Sequence, residues 1–90
     1  MKRPVEVEVM GQRLTVTSDD SEAHVRQVAN YVDGQIRRLA ERRARTTPVD
    51  LILLTALNIA SEYWKLQQEQ EELYQTISRL SKRVLAQLGD

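Results

Sequence analysis

A chain of 90 residues, 41% hydrophobic and 29% charged, makes one small domain at most, and an aromatic content of 4% without any phenylalanine suits thin helical seams better than a globular interior. The absence of cysteine excludes a disulfide frame, a thiolate zinc site and a thiol nucleophile, and a single histidine, His24, leaves little room for metal or acid–base chemistry. Lys and Arg total 13, as do Asp and Glu, so bulk attraction to nucleic acid or to an anionic membrane is not expected and any electrostatic contact has to come from local clusters.

The first residues, Met1-Lys2-Arg3-Pro4, lead into alternating charged positions without the apolar core of a secretion signal, and no run reaches membrane-spanning length, so a cytoplasmic chain is expected. From Val5 to Thr17 the pattern has period two. Val5, Val7 and Val9 alternate with Glu6 and Glu8, and Leu14 and Val16 alternate with Arg13, Thr15 and Thr17. Gly11-Gln12 predicts a two-residue type II′ loop, which would pair Val9 with Leu14 and Val7 with Val16 and place every apolar side chain on one face. An isolated hairpin is marginal in water, so that face needs a cover.

Ser18-Asp19-Asp20-Ser21-Glu22 signals a helix start, with Asp19 and Glu22 at capping-box spacing. Val25, Val28, Ala29, Val32, Ile36, Leu39 and Ala40 then fall on one side of a short amphipathic helix expected to run to about Arg45. Gly34 within it reads as a tolerated exposed glycine that costs on the order of 1 kcal/mol relative to Ala. His24, Asp33 and Glu22 read as ordinary solvated groups. Arg37, Arg38, Arg42, Arg43 and Arg45 crowd the end of this helix around one acid, Glu41. Compensation of the helix dipole needs about two of the five, so the remainder is a candidate electropositive contact patch.

Thr46-Thr47-Pro48-Val49-Asp50 predicts the next start, with Thr47 as N-cap, Pro48 at the first helical position and Asp50 at the third. No Pro or Gly follows until Gly89, so the second helix can reach about 60 Å at about 1.5 Å per residue. Counted from Val49, a heptad seam runs through Ile52, Ala56, Ile59, Tyr63, Leu66, Gln70, Leu73, Ile77, Leu80, Val84 and Gln87. Between Leu51 and Trp64 the helix is apolar on neighbouring faces as well, which predicts enclosure by its own chain and a partner, with Trp64 in the interface. Past Leu66 only the narrow seam is expected to remain.

The stalk carries an acidic block, Glu69, Glu71 and Glu72, before a basic one, Arg79, Lys82 and Arg83. Antiparallel pairing centred near Gln75 sets Leu73 opposite Ile77 and Leu66 opposite Val84, and brings Glu69 near Arg83, whereas a parallel pair matches no opposite charges on the flanks. Such exposed pairs contribute only about 0 to 1 kcal/mol each, so they select orientation more than affinity. The expected architecture is α+β and oligomeric: a head over residues 4–64, comprising the hairpin, the first helix and the start of the second, and a coiled-coil stalk over residues 65–88.

Val-Glu-Val-Glu-Val-Met-Gly-Gln-Arg-Leu-Thr-Val (Val5 to Val16) and Ala-Leu-Asn-Ile (Ala56 to Ile59), in this layout, resemble the ZapA family of bacterial division-ring proteins. The resemblance covers nearly the whole chain. It implies a head that dimerises, a stalk that joins two dimers tail to tail into a tetramer, and binding to filaments of the tubulin-like protein FtsZ at the division site, which the assembly bundles. It also places filament-binding basic residues on the head near the end of the first helix. Where some relatives carry a basic residue directly after the turn glycine, this chain has Gln12, so a contact through the turn would rest on Arg13. No Gly-rich phosphate loop, nucleophile–base pair or convergent ligand set is visible, so neither an enzyme nor a cofactor is expected. The alternative is an arginine-patch nucleic-acid binder or a general coiled-coil adaptor, against which stand the neutral overall charge and the lack of a recognition-helix layout or an aromatic platform.

Overall fold

The period-two segment forms the antiparallel hairpin of β1 (Arg3–Val9) and β2 (Gln12–Ser18), followed by helices α1 (Glu22–Arg42) and α2 (Pro48–Leu88). The computed structural model describes residues 2–89. The expected α+β order of elements is therefore present.

The hairpin register differs from the expected one. Val5 faces Val16, Val7 faces Leu14 and Val9 faces Gln12, so the two-residue loop is Met10-Gly11, not Gly11-Gln12. Both loop residues have positive φ, 55° at Met10 and 74° at Gly11, the combination whose twist matches the flanking strands. A non-glycine residue there costs about 1 to 2 kcal/mol. The amide of Met10 donates to Asp33 Oδ1 on α1 at 2.9 Å, an interaction that offsets this strain. The register moves by two partners, and because side chains alternate with period two every apolar residue stays on its expected face.

That face packs on α1. Val5, Val7, Val25 and Ala29 are buried together, with Val9 and Val16 half-buried at the margin, and α1 lies against β1. The cap of α1 is Ser21, whose hydroxyl accepts the His24 amide at 3.1 Å; the expected cap, Asp19, stays in the preceding turn, where Ser18 Oγ accepts the Asp20 amide at 3.0 Å. The helix ends at Arg42, three residues before the expected Arg45, with the Arg43 amide closing on the Leu39 carbonyl at 3.0 Å. The residue before a proline is driven out of the helical region, so Thr47 ahead of Pro48 needs an extended lead-in. Thr47 then caps α2 as expected: its hydroxyl accepts the Asp50 amide at 3.2 Å and its carbonyl the Leu51 amide at 2.9 Å.

By internal contacts the chain separates into a unit ending at Ala56 and a unit beginning at Leu57. In the first, the buried residues of α2 are Leu51 and Thr55, each one position before a seam residue. Ile36 of α1 is buried too. The second unit is a helix on which every described residue is exposed apart from half-buried Ile59. Leu53, Leu57 and Trp64 are exposed, so the enclosure expected for this stretch is supplied within the first unit only at Leu51, Thr55 and, in part, Leu54. No helix among the described residues is long and apolar enough to cross a membrane.

Candidate assembly seam and basic surface

Because α2 turns Leu51 and Thr55 inward, the neighbouring seam positions of the first unit, Ile52 and Ala56, point away from its core. Val49, Ile52 and Ala56 are exposed and Ile59 is half-buried. Farther along, Tyr63, Trp64, Leu66, Gln70, Leu73, Ile77, Leu80 and Val84 are all exposed; Ile77 keeps 50% and Trp64 64% of its accessible surface. A single exposed Leu is ordinary, whereas a heptad-spaced apolar stripe along a bare helix is the surface a coiled-coil partner covers. On its flank, the Gln67 side-chain amide donates to Tyr63 Oη at 2.7 Å.

The stripe is also wider than the seam alone. Tyr74, Leu85 and Leu88 are exposed, each directly after a seam position. The signal was present in the sequence, in the residues that follow Leu73, Val84 and Gln87. A helix apolar at these added positions offers the broader face of a multi-helix bundle, not only a two-stranded seam.

A second uncovered apolar surface lies in the first unit. Since α1 sits over β1, the β2 side of the hairpin opens as a groove of about 370 Å³ lined by Val9, Leu14, Val16, Val28 and Val32 among others. Leu14 and Val28 are close to half exposed. Sequence periodicity assigned these residues to the apolar face without showing that one helix covers only half of it.

The basic residues fall in two places. Arg13 is exposed on β2, one residue past the strand start, and faces Glu8 across the ladder. Arg37 and Arg38 lie in the last turns of α1, Arg42 is its final residue, Arg43 is the C-cap and Arg45 lies in the connection to α2; all five are exposed. Arg37 is ion-paired, its Nε 3.0 Å from Asp33 Oδ2. Arg13, Arg38, Arg42, Arg43 and Arg45 make no ion pair among the described residues. Unpaired guanidinium groups on a helix end and its following loop form a field that favours an acidic surface.

Asp33 departs most from its expected role. Its carboxylate is only 18% exposed and takes the Met10 amide on one oxygen and Arg37 on the other. Arg26, not singled out by sequence, ties α1 to β1: its guanidinium donates to Glu22 Oε1 at 2.8 and 3.1 Å and to the Glu6 carbonyl at 3.1 Å. His24 stays exposed near the cap, its Nε2 3.9 Å from Asp20 Oδ2.

The family profile described as Cell division protein ZapA matches residues 5–88. The Cell division protein ZapA of Geobacillus sp. (strain WCH70) is 35% identical over 78 residues, covering 87% of this chain and 90% of that protein. The protein of the same name from Bacillus mycoides (strain KBAB4) is also 35% identical over 78 residues, covering 87% of this chain and 88% of its own length. Among solved structures, a ZapA mutant dimer from Geobacillus stearothermophilus aligns with a TM-score of 0.72 and 36% identity, over 87% of this chain and 91% of that one. A profile match across both strands and both helices, joined to relatives and a structure that share the same layout, places this chain in the ZapA family of cell division proteins.

Proposed function

We propose that this chain is a non-enzymatic component of the division ring that binds FtsZ filaments and cross-links them, acting at the division site in the cytoplasm. The observation that carries the proposal is the apolar seam of α2, from Ile52 to Val84, which among the described residues is left exposed apart from half-buried Ile59. A second copy covers that seam and yields a dimer; the similar solved structure from Geobacillus stearothermophilus is itself a mutant dimer. The broader face made by Tyr74, Leu85 and Leu88 supports a further antiparallel contact between two dimers through residues 65–88. Heads over residues 4–64 then lie at the ends of a common stalk. Arg13 and the group Arg37, Arg38, Arg42, Arg43 and Arg45 supply the basic filament contact, with Arg37 shared between that surface and its ion pair to Asp33.

The mechanism is multivalency. A weak contact per head becomes cross-linking when two or four heads are tethered, because the second contact forms at the effective concentration set by the tether. Neither a small-molecule substrate nor a cofactor enters this scheme.

Co-sedimentation with GTP-assembled FtsZ filaments, with duplex DNA as a parallel bait, tests the reading. The expected result is pelleting with filaments that falls as salt rises, and no retention on DNA. The unpaired arginines favour nucleic acid as the second reading, since guanidinium groups bind phosphates well. Retention on DNA with failure on filaments would establish that reading in place of the first.

A further inference from the structure

The hairpin tip is built on a residue that does not suit it. Met10 sits at positive φ, while the amide that this conformation exposes is taken by the carboxylate of Asp33, 23 residues away on α1. The other oxygen of the same carboxylate holds Arg37, the first residue of the basic run. One half-buried acid therefore joins the tip that leads into Arg13 to the helix segment that carries the arginines. A second polar tie between hairpin and α1, the donation of Arg26 to the Glu6 carbonyl, lies away from the tip.

We propose that Asp33 is a positioning residue for partner binding: it fixes the Met10-Gly11 turn, and with it the direction of Arg13, relative to the basic end of α1, without itself touching the partner. The inference rests on the reading above, that Arg13 and the helix-end arginines form the filament contact. Two cationic sites recognise one rigid acidic surface well only if their spacing is set before binding, because ordering them on contact subtracts from affinity. An acid inside a basic contact would otherwise weaken it by opposing the field, so its presence there has a geometric rationale.

The test uses the full chain and three variants. Asp33→Ala removes both bonds and should weaken co-sedimentation with FtsZ filaments by about tenfold, the size expected for one hydrogen bond to a charged group. Asp33→Asn keeps an oxygen for the Met10 amide and should bind within about twofold of the parent by the same reckoning. The double variant Asp33→Ala with Met10→Asn creates an Asn-Gly tip, which adopts this turn unaided, and should recover most of the lost binding. Hydrogen exchange at the Met10 amide of the free protein should accelerate in Asp33→Ala and not in Asp33→Asn. Oligomer size should be the same in all four proteins.

Binding by Asp33→Ala equal to that of a parent that does pellet would overturn the positioning role while leaving the filament reading intact, and so would an Asn-Gly tip that fails to rescue. A parent that does not pellet at all defeats the filament reading itself and the positioning role with it, and the exchange result then reports only on the turn.

Discussion

The residues before and after Ala56 meet the same physical demand in opposite ways. The hairpin and α1 bury Val5, Val7, Val25 and Ala29 against one another within a single chain, whereas from Leu57 to Leu88 the helix buries nothing although its apolar content is high. Closing a small core internally makes local order independent of concentration. Leaving a heptad seam open makes order a matter of mass action, because whatever binds the folded form stabilises it by an amount that grows with the logarithm of its concentration. On the proposed assembly, a helix of 41 residues with most of its apolar stripe exposed is held in part by its partner, and its folding is coupled to assembly.

Charge at the centre of the seam should break this contrast most strongly. Ile77→Glu is expected to reduce the assembly to dimers, measured as molar mass by sedimentation, while far-UV circular dichroism still reports a folded head. The complementary change attacks the first unit: Val25→Ala, at a position only 7% exposed, should lower stability by about 2 kcal/mol through lost burial and a small cavity, with oligomer size unchanged at concentrations where the protein stays folded. Denaturant unfolding across a dilution series separates the two effects, since only the seam variant should alter the dependence on concentration.

Replacing Arg42, Arg43 and Arg45 together by Ala should leave both units intact and flatten the salt dependence of filament pelleting, with a loss of about tenfold at low salt. Unchanged pelleting across the salt series would remove these residues from the contact. The smallest expected effect belongs to Gly34, around which a Cβ would meet nothing within 4 Å among the described residues. Gly34→Ala should raise stability by about 1 kcal/mol. A loss of stability instead would sharpen the comparison by showing that a second copy approaches α1 closely at that point.

Much of this organisation was legible in the sequence. Period-two alternation, the Thr47-Pro48-Asp50 start and the unbroken run to Gly89 identify the four elements because each is a local signal. The errors fall where a distant contact decides or where neighbouring signals compete. The turn register escaped because a methionine at positive φ depends on Asp33, which is distant in sequence. The cap of α1 was misplaced because Asp19 and Ser21 are both good capping residues, and the Ser18 bond to the Asp20 amide decides between them. Periodicity could not tell which face of α2 turns inward, since between Leu51 and Trp64 nearly every face is apolar; the structure selects Leu51 and Thr55 and leaves Ile52 and Ala56 free. For the basic surface, composition located the arginines but not the ion pair that engages Arg37.

The most direct test of seam-driven cross-linking is electron microscopy of GTP-assembled FtsZ filaments mixed with equal concentrations of the parent chain and of Ile77→Glu, with pelleting measured on the same samples. Assembly through the seam predicts bundles with the parent and decorated single filaments with the variant; bundles of equal thickness and number with both proteins would contradict it.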